Sequence, residues 1–297
     1  MIRSRFAPSP SGALHFGSLV AALGSYLDAR SRQGEWLVRI EDVDLGRTVP
    51  GAADDILATL EAFGFTWDGP VVWQSQRLDR YAEVLDALRR DGLAYGCACS
   101  RKEIADAARL LAVDGGPVYP GICRSGLASG RAVRAWRMRV PDEALSFEDR
   151  VQGTVDQVLA RDVGDFVLQR ADGYFAYQLA VVIDDADQGI SDVVRGADLL
   201  DSTPRQIWLQ RCLGYATPRY AHLPVVSNAA GEKLSKQTRA PALDVSQASA
   251  HLVDALDFLG QVPPAELARA GIGEVWAWAL ANWRFDAIPR VRAMVRS

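Results

Sequence analysis

Apolar residues in the first 95 positions switch repeatedly between an extended and a helical spacing. Ile2, Phe6 and Ala7 fit a short buried strand. A Pro/Ser/Gly cluster ends it, and Leu19, Val20, Leu23, Tyr26 and Leu27 then recur at helical intervals. The order repeats with a strand over Glu35 to Ile40, a helix from Pro50 to Phe63 opened by its proline, a strand from Val71 to Trp73 and a helix from Gln76 to Arg90. Such βαβ grammar predicts an α/β fold with a doubly wound parallel sheet, whose ligands sit at the carboxyl ends of the strands. From about 96 to 160 the pattern changes to a Cys/Gly/Pro-rich stretch followed by short alternating segments such as Arg134 to Val140, as expected of an insert. Strand and helix signals resume near Phe166, pass through Phe175 to Ile183, Gly189 to Val194 and an amphipathic run from Ile207 to Leu213, and reach Leu223 to Val226. The expected organisation is two halves of one domain at 1–95 and 161–245, an inserted module at 96–160 and a short helical region at 246–297.

Composition narrows the class only slightly. The chain is 49% apolar and 24% charged, no apolar run is long enough to span a bilayer, and Met1 to Ser11 is too polar for a signal peptide, so a cytoplasmic protein without membrane contact is expected. The formal charge of −4 means that any RNA binding must come from a local basic surface. Arg284, Arg290, Arg292 and Arg296 outnumber Asp286 near the C-terminus and offer one such surface, although a solvated helix is the simpler reading. Four cysteines do not make a disulfide scaffold. Cys212 lies in the amphipathic run and reads as a core residue. Cys97, Cys99 and Cys123 come from two loops with Tyr119 between them; three soft ligands suit zinc, which usually wants four donors, and the spacing alone leaves a metal site and plain cysteines equally open.

Lysine is rare here: 30 of the 33 cations are arginine. A codon preference explains the scarcity but not why two of the three lysines stand together in Lys233-Leu234-Ser235-Lys236. A compact ammonium on a flexible stem can follow phosphate oxygens as charge moves, which a planar guanidinium does less well. The N-terminal segment supplies a partner. Pro8-Ser9-Pro10-Ser11-Gly12 leads through His15-Phe16-Gly17-Ser18 into a helix, and the start of that helix presents backbone N–H groups and positive dipole to an anion. Gly17 would let a flat ring approach the backbone. His15 would point at the same anion, although an isolated histidine before a helix is also an ordinary cap.

Taken together, His15-Phe16-Gly17-Ser18 and Lys233-Leu234-Ser235-Lys236 resemble the paired HIGH and KMSKS signatures of class I aminoacyl-tRNA synthetases. Arg5 to Ser9, Arg39-Ile40-Glu41-Asp42 and Val194-Arg195-Gly196-Ala197-Asp198 look like the glutamyl branch. Ser18 in place of the second histidine and Leu234 in place of methionine fit its shortened glutamyl-Q subgroup. So does the length, since the 61 residues after Lys236 leave no room for the large helical anticodon-binding region of a full glutamyl enzyme.

The resemblance implies a Rossmann-like catalytic domain carrying a zinc-bearing insert. It implies that L-glutamate is activated by ATP, with Mg²⁺ carried on the phosphates, and placed on the queuosine base in the anticodon of tRNA(Asp). His15 and Lys236 would be catalytic, and ATP would meet His15, Gly17, Lys233, Ser235 and Lys236. By the same resemblance Arg5, Arg195 and Tyr177 would hold the glutamate side-chain carboxylate, Ser9 and Glu41 the amino group, and Cys97, Cys99, Tyr119 and Cys123 one structural Zn²⁺. Asp184 and Asp185 are expected to close a helix or hold Arg195. A monomer is expected. The rival readings are charging of a terminal ribose and a catalytically silent tRNA-binding paralogue.

Overall fold

A computed structural model describes residues 1–113, 115–227 and 241–296. The first third follows the anticipated order: β1 (Arg3–Phe6), α1 (Phe16–Arg30), β2 (Glu35–Ile40), α2 (Ala52–Ala62), β3 (Val72–Trp73) and α3 (Leu78–Arg90). β1 pairs in parallel with β2, and β2 with β3. The helix expected from Pro50 begins two residues later, because Gly51 stands in a left-handed conformation (φ 77°) that a right-handed helix cannot include. The helix expected from Gln76 is a 3₁₀ turn, Gln74–Gln76, followed by α3. Leu19, Val20, Leu23, Tyr26 and Leu27 form the buried face of α1, as their spacing requires.

The middle of the chain supplies β4 (Ala94–Cys97), α4 (Arg101–Ala107), β5 (Ala135–Met138), β6 (Ala144–Asp149), β7 (Gly153–Val158), α5 (Leu159–Asp162) and β8 (Val167–Gln169). β4, β5 and β8 make an antiparallel sheet, and a capping box between Ser100 and Glu103 opens α4 just after Cys99. β6 and β7 form an antiparallel pair.

Next come α6 (Tyr177–Asp187), β9 (Asp192–Gly196), α7 (Thr203–Leu213), β10 (Arg219–Leu223), β11 (Val225–Ser227), α8 (Ala248–Phe258), α9 (Ile272–Asn282) and β12 (Ala293–Val295). β10 pairs in parallel with β9 along its length and meets β6 on its other edge, so the sheet runs β7-β6-β10-β9. β9 lies against β1, where the Ser191 N–H donates to the Arg3 carbonyl at 3.0 Å; the two halves of the chain therefore meet edge to edge. α1 lies close to β10: a Cβ at Gly24 would stand 2.5 Å from Leu223 Cδ1. No described helix is long and apolar enough to cross a membrane.

The C-terminal arginines are not on a helix. After a 3₁₀ turn at Phe285–Ala287 and a break at Pro289, residues 293–295 pair in parallel with β11. Arg292 bonds Asp201 at 3.0 Å, and Arg296 bonds Asp254 at 2.6 Å while lying over the ring of Phe16. The edge of β11 offered hydrogen bonds that a solvated helix would have left unmade.

α8 and α9 close the larger core. Trp276 from α9 donates to the Phe63 carbonyl at 2.9 Å and packs on Tyr26 and Phe65, which in turn contact Trp36 beneath β1 and β2. Trp276→Ala should therefore destabilise the first half of the chain itself by about 3–5 kcal/mol in urea unfolding. A loss under about 1 kcal/mol would mean that the C-terminal region is only an appendage.

Candidate active site and cysteine cluster

One cleft of about 2390 Å³ opens at the carboxyl ends of β1, β2 and β9, and Arg5, Ser9, His15, Gly17, Glu41, Tyr177 and Arg195 all line it. The strand–loop–helix turn explains the first four: β1 ends at Phe6, the Pro/Ser/Gly loop crosses the strand tips, and His15 is the N-cap of α1, its Nδ1 accepting from the Ser18 N–H at 3.4 Å. His15 is thus both a cap and a lining residue. Lys233, Ser235 and Lys236 lie outside the described residues. Val226, which precedes that stretch, lines the cleft, and Ala242, which follows it, bridges to His15.

Charge in the cleft is arranged in two ways. Asp185 on α6 accepts from Arg5 Nε at 2.9 Å and Nη2 at 3.3 Å, and from Arg39 Nη2 at 2.6 Å. Burial opposes its ionisation, but the two guanidiniums outweigh it and hold the carboxyl below its ordinary range. Its neighbour Asp184 accepts from Arg77 at 2.7 Å, from Gln74 at 2.8 Å and from the Tyr81 hydroxyl at 2.9 Å. Both aspartates lie near the C-terminal end of α6, as one of the two expectations had it; neither holds Arg195, the other, because α6 presents both toward β1, β2 and α3. Arg5 retains further N–H groups for a ligand in the cleft.

Arg195 is different. It is 6% exposed, and all the partners identified for it among the described residues are neutral: Thr203 Oγ1 at 2.9 Å, Gln206 Oε1 at 2.7 Å, His222 Nε2 at 3.1 Å and the Tyr177 hydroxyl at 3.5 Å. Removal from water pushes the Tyr177 phenol up to about 12, with Glu41 adding to the rise and Arg195 and Arg5 opposing it. Glu41 is pushed up to about 7 by burial, against the pull of Arg39 and Arg5. Its Oε1 is 3.7 Å from Arg39 Nε, too far for a hydrogen bond, and has no other partner among the described residues. A cation whose identified partners include no carboxylate and a carboxylate with an acceptor atom unpaired among the described residues therefore share one cleft. Sequence reasoning missed Asp149, His222, Thr203 and Gln206 behind Arg195. The available signal was a histidine inside the apolar run Ala221-His222-Leu223.

Beside this cleft, the Sγ atoms of Cys97, Cys99 and Cys123 lie within 4.8 Å of one another, the one group of three or more metal-ligating side chains among the described residues. Cys99 and Cys123 are 3.5 Å apart, and the Tyr119 hydroxyl is 3.5 Å from Cys97 and 3.9 Å from Cys99. Zn–S bonds of about 2.3 Å in a tetrahedron put sulfurs about 3.8 Å apart, close to the spacing of Cys99 and Cys123, so the donor set can hold a tetrahedral metal. Cys212 stands apart, half-buried in α7 against a separate apolar cluster that includes Leu179, Ile207 and Tyr220.

The family model for the catalytic domain of class I tRNA synthetases (E and Q) matches residues 1–274. The glutamyl-Q tRNA(Asp) synthetase of Dechloromonas aromatica is 69% identical over 288 residues, covering 97% of this chain and 96% of the relative. That of Chromobacterium violaceum is 59% identical over 289 residues, with 97% and 96% covered. The chain belongs to the glutamyl-Q tRNA(Asp) synthetase family. A glutamate tRNA ligase from Elizabethkingia meningosepticum in complex with its amino acid shares the fold at a TM-score of 0.81 and 24% identity, over 100% of this chain and 67% of that one. Membership of the glutamyl-Q family makes the protein an enzyme, a class I aminoacyl-tRNA synthetase-type ligase on a Rossmann-like α/β fold.

Asp185→Asn would leave two buried guanidiniums short of a counter-charge. We expect a loss of about 3–5 kcal/mol in urea unfolding. An unchanged midpoint would show that Arg5 and Arg39 are held by other contacts.

Proposed function

We propose that this protein activates L-glutamate with ATP, without needing RNA for that step, and transfers it to the queuosine base in the anticodon of tRNA(Asp). The observation that carries the amino-acid half is Arg195, a buried cation whose identified partners are all neutral, sharing a cleft with Glu41. Such a pocket suits a ligand bearing a carboxylate at one end and an ammonium at the other. In this reading Arg195, Tyr177 and Arg5 take the side-chain carboxylate, and Glu41 and Ser9 take the amino group. The remaining carboxylate attacks the α-phosphorus of ATP in line. The start of α1 with His15 and Gly17, together with Lys233, Ser235 and Lys236, neutralises the charge gathering on the phosphates, whose Mg²⁺ arrives with ATP. Pyrophosphate leaves, a queuosine hydroxyl attacks the activated carbonyl, and an ester and AMP result.

Residues 1–95 and 161–245 are the two catalytic halves in this scheme, 96–160 the inserted module and 246–297 a C-terminal brace. Cys97, Cys99, Cys123 and Tyr119 would hold Zn²⁺, which supplies structural cross-linking of the insert and no chemistry. No step calls for a second subunit or a membrane, so we take the working unit to be a cytoplasmic monomer.

Glutamate-dependent exchange of pyrophosphate into ATP, with and without RNA, is the direct test. Exchange without RNA is expected. Exchange only with RNA would favour charging of a terminal ribose, and none under either condition would favour a silent paralogue.

The same assay reads Glu41. Before glutamate binds, Glu41 is neutral below about pH 7 and must shed its proton to receive an ammonium. Apparent affinity for glutamate should therefore weaken as the pH falls through about 7, approaching tenfold per unit, and Glu41→Gln should flatten that dependence. A flat wild-type profile would remove Glu41 from the amino-group site.

Cys97→Ser should lose bound zinc by elemental analysis and loosen the insert, while Cys212→Ser should keep both. Active wild-type protein with no metal would refute the zinc assignment.

A further inference from the structure

Behind Arg195 stands a second buried chain of hydrogen bonds that the proposed chemistry does not use. His222 on β10 is the register partner of Arg195 on β9, and neither its side chain nor that of Asp149 reaches solvent. Asp149, at the end of β6, brings Oδ2 within 2.6 Å of His222 Nδ1. Its Oδ1 is committed to three backbone N–H groups, those of Val151, Gln152 and His222, at 2.9–3.1 Å. The carboxylate is thus fixed by the β6–β7 turn and by β10 together. On the far side of the ring, His222 Nε2 faces Arg195 Nε at 3.1 Å and Thr203 Oγ1 at 3.1 Å.

These contacts dictate the proton's place. A carboxylate at 2.6 Å requires Nδ1–H, and a guanidinium N–H at 3.1 Å requires a bare Nε2 lone pair. Burial lowers the imidazole to about 4 despite the hydrogen bond to Asp149, so the ring is neutral at working pH. A neutral ring has a consequence for the pocket. Asp149 in direct contact with Arg195 would fix its direction but also neutralise it, as Asp185 does for Arg5. Interposing a neutral imidazole transmits the orientation and leaves the charge for a ligand.

We propose that Asp149 and His222 are positioning residues for glutamate selection: they hold Arg195 from behind in a single orientation through a neutral acceptor, so that its cationic charge remains available to the substrate's side-chain carboxylate. The inference rests on the reading above that Arg195 receives that carboxylate.

The test compares four variants in pyrophosphate exchange with glutamate and ATP each varied. His222→Asn keeps a donor toward Asp149 but removes the acceptor for Arg195. It should raise the KM for glutamate by about tenfold or more, with the KM for ATP and the saturated rate changed less than about twofold. His222→Gln places an amide oxygen where Nε2 stood and should recover most of the affinity. Asp149→Asn retains an oxygen for the backbone N–H groups but turns a donor toward Nδ1. It should move the ring proton to Nε2, visible in the ¹⁵N shifts of His222, and raise the KM for glutamate as His222→Asn does. Arg195→Lys separates the two readings. If it raises the glutamate KM while His222→Asn and Asp149→Asn leave it unchanged, the relay is wrong and the pocket stands; if Arg195→Lys itself leaves it unchanged, the pocket reading fails first. Equal losses in both KM values and in melting temperature for His222→Asn and His222→Gln would reduce the pair to a structural role and overturn the proposal. Should His222→Asn not fold, Asp149→Asn alone decides by the same split.

Discussion

The buried carboxylate of Asp185 is the contact on which the site is built. It belongs to α6 in the second half of the chain, and it is shared by Arg5 at the end of β1 and Arg39 at the end of β2 in the first half. Stripping two guanidiniums and a carboxylate of water is expensive, and the arrangement is stable only because hydrogen bonds replace that water. Gln188 supports the same cluster by accepting from Arg39 Nη1 at 2.5 Å. The energetic demand has a geometric result: the tips of β1 and β2 and the face of α6 cannot separate without stranding charge. A cleft at those strand ends therefore has a rigid floor, which is what selective binding of a small zwitterion needs.

Against this floor the cleft separates charges that are spent from charges that are kept. Arg5 and Arg39 are balanced within the protein, whereas Arg195 is surrounded by a hydroxyl, an amide, a phenol and a neutral imidazole. Glu41 is the complementary case, a carboxyl that burial pushes up to about 7, with one oxygen unpaired among the described residues. In the proposed reading, a ligand that brings an anion to one and a cation to the other would satisfy both, and this is how the cleft would select an acidic amino acid.

The remaining elements brace these strands. β12 zips onto β11, and α9 drives Trp276 into the aromatic core under β1 and β2. The cysteine cluster draws the end of β4 and the 119–123 loop together beside the cleft, with Arg137 stacked 3.9 Å over the Tyr119 ring. Asp44, just after β2, pairs with Arg170, just after β8, so the first half and the antiparallel sheet also meet across the opening.

Much of this was legible along the chain because it is local. The spacing of Leu19, Val20, Leu23 and Leu27 determines the buried face of α1, the alternation in Glu35 to Ile40 determines β2, and Pro8 to Gly12 determines the turn before His15; each follows from a backbone period or a restricted φ. The fold class followed from the same periods, whereas the zinc-type donor set, left open by spacing alone, came from the family resemblance. Contacts between residues far apart in sequence were not. That Asp185 serves Arg5 and Arg39 instead of Arg195, that the C-terminal arginines flank a strand instead of riding a helix, and that Asp149 stands behind His222 are all settled by which strand lies beside which. A side chain's type limits the partners it can accept, but burial and distance choose among them, and in this protein those are properties of the assembled sheet.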